Sequence, residues 1–315
     1  MSKQILTILG ATGKQGGSVV KSILADSKAS SKFQVRAVTR DPTKESAKAL
    51  KALGAEVVAG DMNDKDSLHA AIKDSYGVFS VTNFWELFSG EAEEKQGKTV
   101  ADVCKGALPG VYHFDGKAHV EEYIRSLGIP ASFFLAGFYM SNLPGMSLRD
   151  MGDGNWALAL PIPDDSPIPL FDAEADTGKF VKAMFLNEDK VLGQRVYGAT
   201  AYHTPAQILD EFKELFPSAG KKAVYNQLPG DVFKGIMAST GAPEVIQEEM
   251  LQNMRLMPEF GYYGGEKLEP SLAVSNGVSK IRSILSADLD PQLLTEKPTT
   301  WKEYAKKNPI FASLD

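Results

Sequence analysis

The opening stretch of the chain alternates between apolar runs and helical spacing. Ile5–Leu9 is apolar at four of its five positions, which is typical of a strand buried on both faces. Three glycines follow, and Ser18–Leu24 then has the apolar spacing of a helix. Lys32–Thr39 is a second strand-like run. Strand, glycine turn, helix and strand in this order predict a βαβ unit of a parallel sheet.

The same alternation continues through the first half of the chain. Predicted strands are Ala55–Ala59, Gly77–Val81 and Ala131–Ala136, and predicted helices are Thr43–Leu53, Asp64–Ile72, Glu91–Lys105 and Gly116–Leu127. Strands that alternate with helices predict an α/β fold built on a Rossmann-type, doubly wound parallel sheet.

The alternation breaks between Glu91–Lys105 and Gly116–Leu127. The intervening Gly106–Tyr112 is short, contains Gly, Pro and Gly, and gives no strand signal. Parallel crossovers alternate strand with helix, so two successive helices on one sheet would be anomalous. We therefore expect one of two situations. Either the sheet lacks its fifth strand or, our preference, a strand and its connection of about twenty residues are omitted around Lys105–Gly106.

The composition changes after Asn142, where Gly and Pro become frequent and the pattern indicates loops and hairpins. The earlier pattern returns later in the chain. Thr177–Leu186 is a predicted helix with Asp176 as its N-cap, and Arg195–Thr200 is a predicted strand of the main sheet.

Two domains follow from these changes. Residues 1–142 form a predicted Rossmann domain, to which segments near 176–200 return. Residues 143–175 and 201–315 form a predicted smaller α+β domain for a substrate or a partner.

Each glycine after the first strand has a separate physical task. Gly10 permits a tight turn, Gly13 lets the backbone approach a pyrophosphate, and Gly16 lets the helix sit close to the strand. The helix start offers free N–H groups and the positive end of the helix dipole to phosphate. The stretch therefore predicts a dinucleotide site rather than an ordinary strand-to-helix turn.

The residue that follows the second strand decides which dinucleotide is expected. A chain selective for NAD places Asp or Glu there to hold the ribose 2′-hydroxyl, whereas this chain has Thr39 and Arg40. Because a guanidinium suits a 2′-phosphate, the sequence predicts NADP(H) as the cofactor.

Two further loops follow strand ends, where open α/β sheets bind ligands. Asp61, after the third strand, either accepts from the adenine amino group or caps the next helix. Thr82, Asn83 and Phe84 follow the fourth strand, and the Phe84 ring either walls the nucleotide or fills a seam of the core.

Composition removes several classes of function. A net charge of −6 argues against direct nucleic-acid binding, which needs a basic face. The single cysteine, Cys104, excludes an internal disulfide and is interpreted as a buried thiol. The four histidines lack metal-ligand spacing, so no metal is expected.

Without a recognisable signal peptide or membrane-spanning run, we expect a cytoplasmic protein with no membrane partner, the nucleus being open as a second location.

Several motifs together resemble those of the NmrA-like proteins, an atypical group of the short-chain dehydrogenase/reductase superfamily. The resemblance runs from Gln4 to about Asn308. It rests on Gly10-Ala11-Thr12-Gly13-Lys14-Gln15-Gly16-Gly17, Arg40, Gly60-Asp61, Val81-Thr82-Asn83-Phe84, His113-Phe114-Asp115-Gly116-Lys117, Phe138-Tyr139-Met140-Ser141-Asn142 and Tyr263-Gly264-Gly265. It implies a Rossmann domain that binds NADP(H), a small C-terminal domain, and regulatory redox sensing rather than robust catalysis.

The resemblance also implies roles for single residues. Arg40 would anchor the 2′-phosphate, Asp61 would contact adenine, and Lys117 would contact the ribose on the nicotinamide side. The implied pyrophosphate loop is Gly10, Thr12, Gly13, Lys14, Gln15 and Gly16, and the implied nicotinamide-side lining is Phe138 and Asn142.

The chain departs from the pattern of catalytic relatives at one position. A typical short-chain reductase has the motif Tyr-x-x-x-Lys, whose phenol gives a proton to a carbonyl. Here His113 holds the place of that tyrosine, and Tyr112 lies one residue off, a rotation of about 100° on a helix. The catalytic candidates are therefore Lys117, His113 and Tyr112. The omitted strand would also carry the serine of the family's catalytic type.

Two functions are weighed on these grounds. The first is an NADP(H)-binding redox sensor or regulator with weak or no turnover, whose state a partner protein reads. The alternative is an NADPH-dependent reductase of a small carbonyl, imine or quinone substrate. A scaffold without a ligand would leave Arg40 and the glycines without a task.

Overall fold

The computed structural model of the chain divides into two compact units. The first comprises Met1–Ala136, Ala173–Gly198 and Glu269–Lys297, and the second comprises Gly137–Asp172, Ala199–Leu268 and Pro298–Asp315. The structure describes residues 2–83, 89–107, 111–113, 118–152, 154–263, 284–285, 294 and 296–314.

The elements of the described residues are as follows. The strands are β1 (Gln4–Ile8), β2 (Phe33–Thr39), β3 (Glu56–Ala59), β4 (Gly77–Phe79), β5 (Val111–His113), β6 (Ala131–Ala136), β7 (Phe138–Tyr139), β8 (Leu148–Asp150), β9 (Trp156–Leu160), β10 (Ile168–Phe171), β11 (Arg195–Gly198), β12 (Ala201–His203), β13 (Val224–Gln227) and β14 (Ile284–Leu285). The helices are α1 (Lys14–Ala25), α2 (Ser27–Lys32), α3 (Glu45–Ala52), α4 (Lys65–Ile72), α5 (Gly90–Ala107), α6 (Ala118–Ser126), α7 (Thr177–Leu186), α8 (Glu188–Val191), α9 (Pro205–Leu215), α10 (Pro217–Gly220), α11 (Gly230–Ser239), α12 (Glu244–Phe260) and α13 (Trp301–Lys307). None of these described helices is both long and apolar enough to cross a membrane.

The first unit is built on one parallel sheet. Its described strands lie in the order β3-β2-β1-β4-β5-β6-β11-β14. Consecutive residues of β6 show that helices cover both faces. Phe133 packs in a buried cluster with residues of α4, α5 and α6, such as Val100, whereas the ring of Phe134 lies 5.6 Å from that of Phe180 in α7. The doubly wound Rossmann-type fold predicted from the sequence is confirmed. The predicted return of the strand near 195 to this sheet is confirmed as well.

The fifth strand is the main difference from the sequence-based expectation. β5 pairs with β4 on one side and with β6 on the other, so the expectation of a sheet that lacks this strand is wrong. Tyr112 and His113 lie in this strand and not on a helix, so the helical rotation expected between them does not apply. α5 runs without interruption through Lys105–Gly106. A three-residue strand behind Gly, Pro and Gly is too short for a period-two pattern to indicate it.

Asp176 stands at the N-cap position of α7 but does not cap the helix in the predicted way. Its side chain makes no capping hydrogen bond and forms an ion pair instead, with Oδ1 lying 2.7 Å from Nζ of Lys179. The carboxylate is fully buried, so pairing with a cation offsets the cost of removing its charge from water.

Helices α1 and α7 cross in close contact at a glycine. A Cβ added to Gly178 would lie 2.2 Å from the carbonyl oxygen of Ser18, and the Gly178 N–H donates to Oγ of Ser18 at 2.9 Å. Only a residue without a side chain allows this approach. Gly178 is therefore a requirement of the packing of the first unit.

We expect Gly178→Ala to lower the free energy of unfolding of the first unit by about 1–3 kcal/mol. The new methyl group would clash with the backbone carbonyl of Ser18, which cannot rotate away as a side chain could. The matched control is Gly90→Ala at the start of α5, where an added Cβ meets nothing within 4 Å. That variant should be neutral or slightly stabilising. Urea unfolding followed by circular dichroism measures both, and equal midpoints for the two variants would contradict the packing argument.

The second unit contains two small sheets and an aromatic core. The described strands form the sheets β12-β10-β7 and β13-β9-β8. The core includes a cluster of rings 5.2 to 5.6 Å apart, made by Trp156, Phe212, Phe216 and Phe311. Thr204 caps α9 through its side chain, which accepts from the N–H of Gln207. This cap at Thr204 agrees with the sequence pattern of a polar cap followed by Pro.

Candidate nucleotide-binding site

Four adjacent strands of the main sheet place the predicted site residues along one edge. The order β3-β2-β1-β4 is parallel, so the carboxyl ends of these strands lie side by side. Gly10 follows β1, Arg40 follows β2, Asp61 follows β3 and Thr82 follows β4. Ligands of open α/β sheets bind outside this edge. Gly10, Arg40, Asp61 and Thr82 are thereby brought to one edge of the sheet.

The glycine loop has the geometry of a tight turn beneath a helix. Gly10 has a φ of +65°, and its carbonyl oxygen accepts from the Gly13 N–H at 3.0 Å. A Cβ on Gly16 would lie 2.3 Å from that same oxygen, so the first turn of α1 rests directly on the loop. Gly13 differs because its φ of −83° suits any residue and an added Cβ would approach Gly10 only to 3.3 Å. Folding therefore requires Gly10 and Gly16 more strongly than Gly13.

The start of α1 is open to an anion. Gly13 is the N-cap residue, no side chain caps the helix, and its first turn has no acidic residue. Thr12, Gly13 and Lys14 are exposed. The amide Nε2 of Gln15 is buried and has no hydrogen-bond partner among the described residues. A buried amide donor of this kind is costly unless an acceptor meets it, and a phosphate oxygen at the helix start is such an acceptor.

The charged residue at the end of β2 is exposed. Arg40 follows Thr39, whose Oγ1 accepts from the N–H of Asp41 at 3.3 Å. The hydroxyl and the N–H of Thr43 donate to the Asp41 carboxylate and hold its pKa below the usual value. The turn after Arg40 is thus closed by its own hydrogen bonds.

Asp61 does not cap the following helix. Asp64 caps α4 by accepting from two N–H groups, so the capping interpretation of Asp61 is wrong. Instead, Oδ1 of Asp61 accepts from the backbone N–H of Asn63 at 2.9 Å and from its Nδ2 at 3.0 Å. The adenine contact stays a prediction.

Two buried polar residues of α5 escaped the sequence analysis. Oγ1 of Thr82 donates to Oε1 of Glu93 at 2.8 Å, and Nε2 of Gln96 donates to Oδ1 of Asn63 at 3.1 Å. The spacing of these residues contains a signal. Residues 96 and 93 lie about one and two turns before Val100 and therefore share its buried helix face. Polar residues on a buried face indicate partners in neighbouring loops.

The remaining candidates fall in other places. Asn83 is exposed after β4. Phe84 and Lys117 lie outside the described residues. Phe138 is buried in β7 and Asn142 ends a 3₁₀ turn, and both belong to the second unit.

Cys104 is buried in α5, as interpreted from the sequence. Burial raises the pKa of its thiol to about 12, so the thiolate is scarce at neutral pH. Cys104 therefore packs as an apolar residue and takes no part in the candidate chemistry.

Comparison with known proteins decides the family. A model of the NmrA-like family matches residues 2–107 and 102–305. The chain belongs to the NmrA-like family. An NmrA-like family domain-containing oxidoreductase of Malbranchea aurantiaca is 32% identical over 262 aligned positions, which cover 72% of this chain and 76% of the relative. One of Cladobotryum sp. is 23% identical over 345 positions, which cover 96% and 98%.

A solved structure shares the fold of this NmrA-like chain. It is that of NmrA, a negative transcriptional regulator, in complex with NADP. The two chains superpose with a TM-score of 0.72 and 20% identity, over 98% of this chain and 95% of the other.

The family model matches the chain in two segments, and the first ends near Lys105–Gly106. The two matched segments overlap at residues 102–107, which include the bond where the sequence predicts an omission. The alignment of 345 positions with the Cladobotryum relative exceeds the 315 residues of this chain, so at least 30 of its positions have no residue here. Neither finding places a gap between Lys105 and Gly106, through which α5 runs unbroken, so the omission stays a prediction.

Proposed function

We propose that this NmrA-like protein binds NADP(H) along the carboxyl edge of the sheet of its first unit. The observation that carries the proposal is the start of α1, where no side chain caps the helix and the buried amide of Gln15 has no hydrogen-bond partner among the described residues. A pyrophosphate would accept from the helix N–H groups, balance the positive end of the dipole and give the Gln15 amide an acceptor.

Other residues have complementary tasks in this proposal. Arg40 holds the 2′-phosphate, Asp61 receives the adenine amino group, and Lys117 donates to the ribose on the nicotinamide side. Phe138 and Asn142, which the resemblance implies as nicotinamide-side lining, stay predictions from the sequence. The bound cofactor supplies or accepts a hydride.

We expect the protein to bind NADPH more tightly than NADH, because a guanidinium and a phosphate form charge-assisted hydrogen bonds. Arg40→Ala should weaken NADPH binding by about 10- to 100-fold, the equivalent of about 1.5–3 kcal/mol, and leave NADH binding unchanged. Isothermal titration calorimetry measures all four affinities.

The control for this experiment is Lys48→Ala, which removes an exposed cation on α3 that pairs with Glu45. It should leave both affinities unchanged, which separates a local contact from the general field of positive charge. Equal affinities of the wild type for NADPH and NADH would refute the role of Arg40.

We propose further that the nucleotide acts mainly as a regulatory ligand. The support is the sequence around Lys117, where His113 replaces the tyrosine that supplies a proton in catalytic relatives. Binding would order the loops that follow the strands, and a partner protein would read that change.

The second candidate function is an NADPH-dependent reductase of a small carbonyl, imine or quinone compound. The support for it is the naming of curated relatives, among them the Malbranchea protein, as oxidoreductases. In this function Lys117 and His113, or Tyr112 in place of His113, would serve proton transfer.

A further inference from the structure

The first two turns of α5 make polar contacts with two of the loops that follow the sheet. Glu93 and Gln96 are three residues apart, so they lie on the same face of the helix. Their exposed fractions are 4% and 9%, whereas Glu91 and Lys95 on the same turns are exposed. Buried polar side chains need partners, and both residues find theirs outside the helix.

Glu93 contacts the loop after β4. Oγ1 of Thr82 donates to its carboxylate at 2.8 Å, and Thr82 is itself only 5% exposed. A hydrogen bond to a charged acceptor away from water is among the stronger ones in proteins. Glu93 therefore fixes the direction in which the chain leaves β4.

Gln96 contacts the loop after β3. Its Nε2 donates to Oδ1 of Asn63 at 3.1 Å, and Nδ2 of Asn63 donates to Oδ1 of Asp61 at 3.0 Å. Asn63 also donates its backbone N–H to the same carboxylate oxygen. These hydrogen bonds form a relay from Gln96 on the helix, through the Asn63 amide, to the Asp61 carboxylate. The proposed function assigns that carboxylate to adenine.

We infer that Glu93 and Gln96 are positioning residues for the adenosine half of the nucleotide. The inference rests on the proposed NADP(H) binding and names residues that act through Thr82 and Asp61 and do not themselves touch the ligand. One rigid helix sets the separation of the two loops before the ligand arrives. A preordered site loses less conformational entropy on binding, so its affinity is higher.

The ligands of choice for a test are NADPH and its fragment 2′,5′-ADP, which contains the adenosine half alone. Glu93→Ala and Gln96→Ala should each weaken both ligands by about 10-fold, the effect of one lost hydrogen bond in the site. Glu93→Gln keeps an oxygen that accepts from Thr82 and should restore the affinity to within about threefold. Glu91→Ala and Lys95→Ala, on the exposed face of the same turns, are the matched controls and should bind as the wild type does.

A double-mutant cycle tests the relay itself. If Gln96 acts through Asn63, the double variant of Gln96→Ala with Asn63→Ala should bind no more weakly than the weaker single variant. Additive losses would overturn the relay. Unchanged 2′,5′-ADP affinity in both alanine variants, or a loss in Glu93→Gln as large as in Glu93→Ala, would overturn the inference. A wild type that binds neither ligand would instead overturn the proposed function, so the two failures are distinguishable.

Discussion

Gly13→Val should lower the affinity for NADPH by at least about 100-fold, the equivalent of about 2.8 kcal/mol, and leave the fold in place. The reason for the loss is that a side chain on this exposed residue would stand where the pyrophosphate approaches the helix start. The fold should persist because the φ of −83° suits any residue, and the tight contact of 3.3 Å between an added Cβ and the Gly10 carbonyl oxygen is relieved by a shift of a few tenths of an ångström. Calorimetry and circular dichroism measure the two quantities.

Gly16→Val provides the contrast for this variant. Its Cβ would lie 2.3 Å from the Gly10 carbonyl oxygen, so the helix would have to leave the strand and the far-ultraviolet spectrum or the melting temperature should change. A Gly13→Val protein that is folded and still binds NADPH at the wild-type affinity would show that the glycine loop is not the phosphate site.

Turnover of small carbonyl, imine and quinone compounds should stay near background even at saturating NADPH. Positioned general acid catalysis contributes typically about 10²–10⁴-fold, and the sequence places His113 where the acidic tyrosine of catalytic relatives stands. The loss of NADPH absorbance reports the rate for each compound of a panel.

Lys117→Ala should weaken NADPH binding, because Lys117 serves binding more than chemistry if the nucleotide is a regulatory ligand.

The reductase alternative makes a different prediction for the same panel. It expects rapid, substrate-dependent oxidation of NADPH that disappears in Lys117→Ala or His113→Phe. Fast turnover of any compound with that dependence would overturn the sensor assignment. If His113→Phe still binds NADPH, its lost turnover is not caused by a loss of cofactor binding.

The nucleotide-binding half of the fold is largely readable from the sequence because its signals are local. Gly10 and Gly16 have tasks set by the local chain, since Gly10 has a φ of +65° and a Cβ on Gly16 would lie 2.3 Å from the Gly10 carbonyl oxygen. The runs that predict β1, β2 and β6 are long and apolar enough for their period to be recognised. Arg40 directly follows the last residue of β2, so the strand signal alone locates it in the sequence.

The features that the sequence does not reveal depend on distant partners or on very short segments. Glu93 and Gln96 are polar residues on a buried helix face, and their meaning depends on Thr82 and Asn63 in other loops. The capping of α4 by Asp64 in place of Asp61 depends on where the helix begins, a boundary that periodicity fixes only to within a few residues. The strands β5 and β7, of three and two residues, are too short to show an alternation.

Titration of the wild-type protein with NADPH by calorimetry, with NADH titrated in parallel, tests the central claim most directly. The account predicts saturable binding of one NADPH per chain, with a higher affinity than for NADH, because the start of α1 and Arg40 act on the same ligand. The absence of binding heat, confirmed by unchanged NADPH fluorescence and an unchanged melting temperature at saturating nucleotide, would contradict the account.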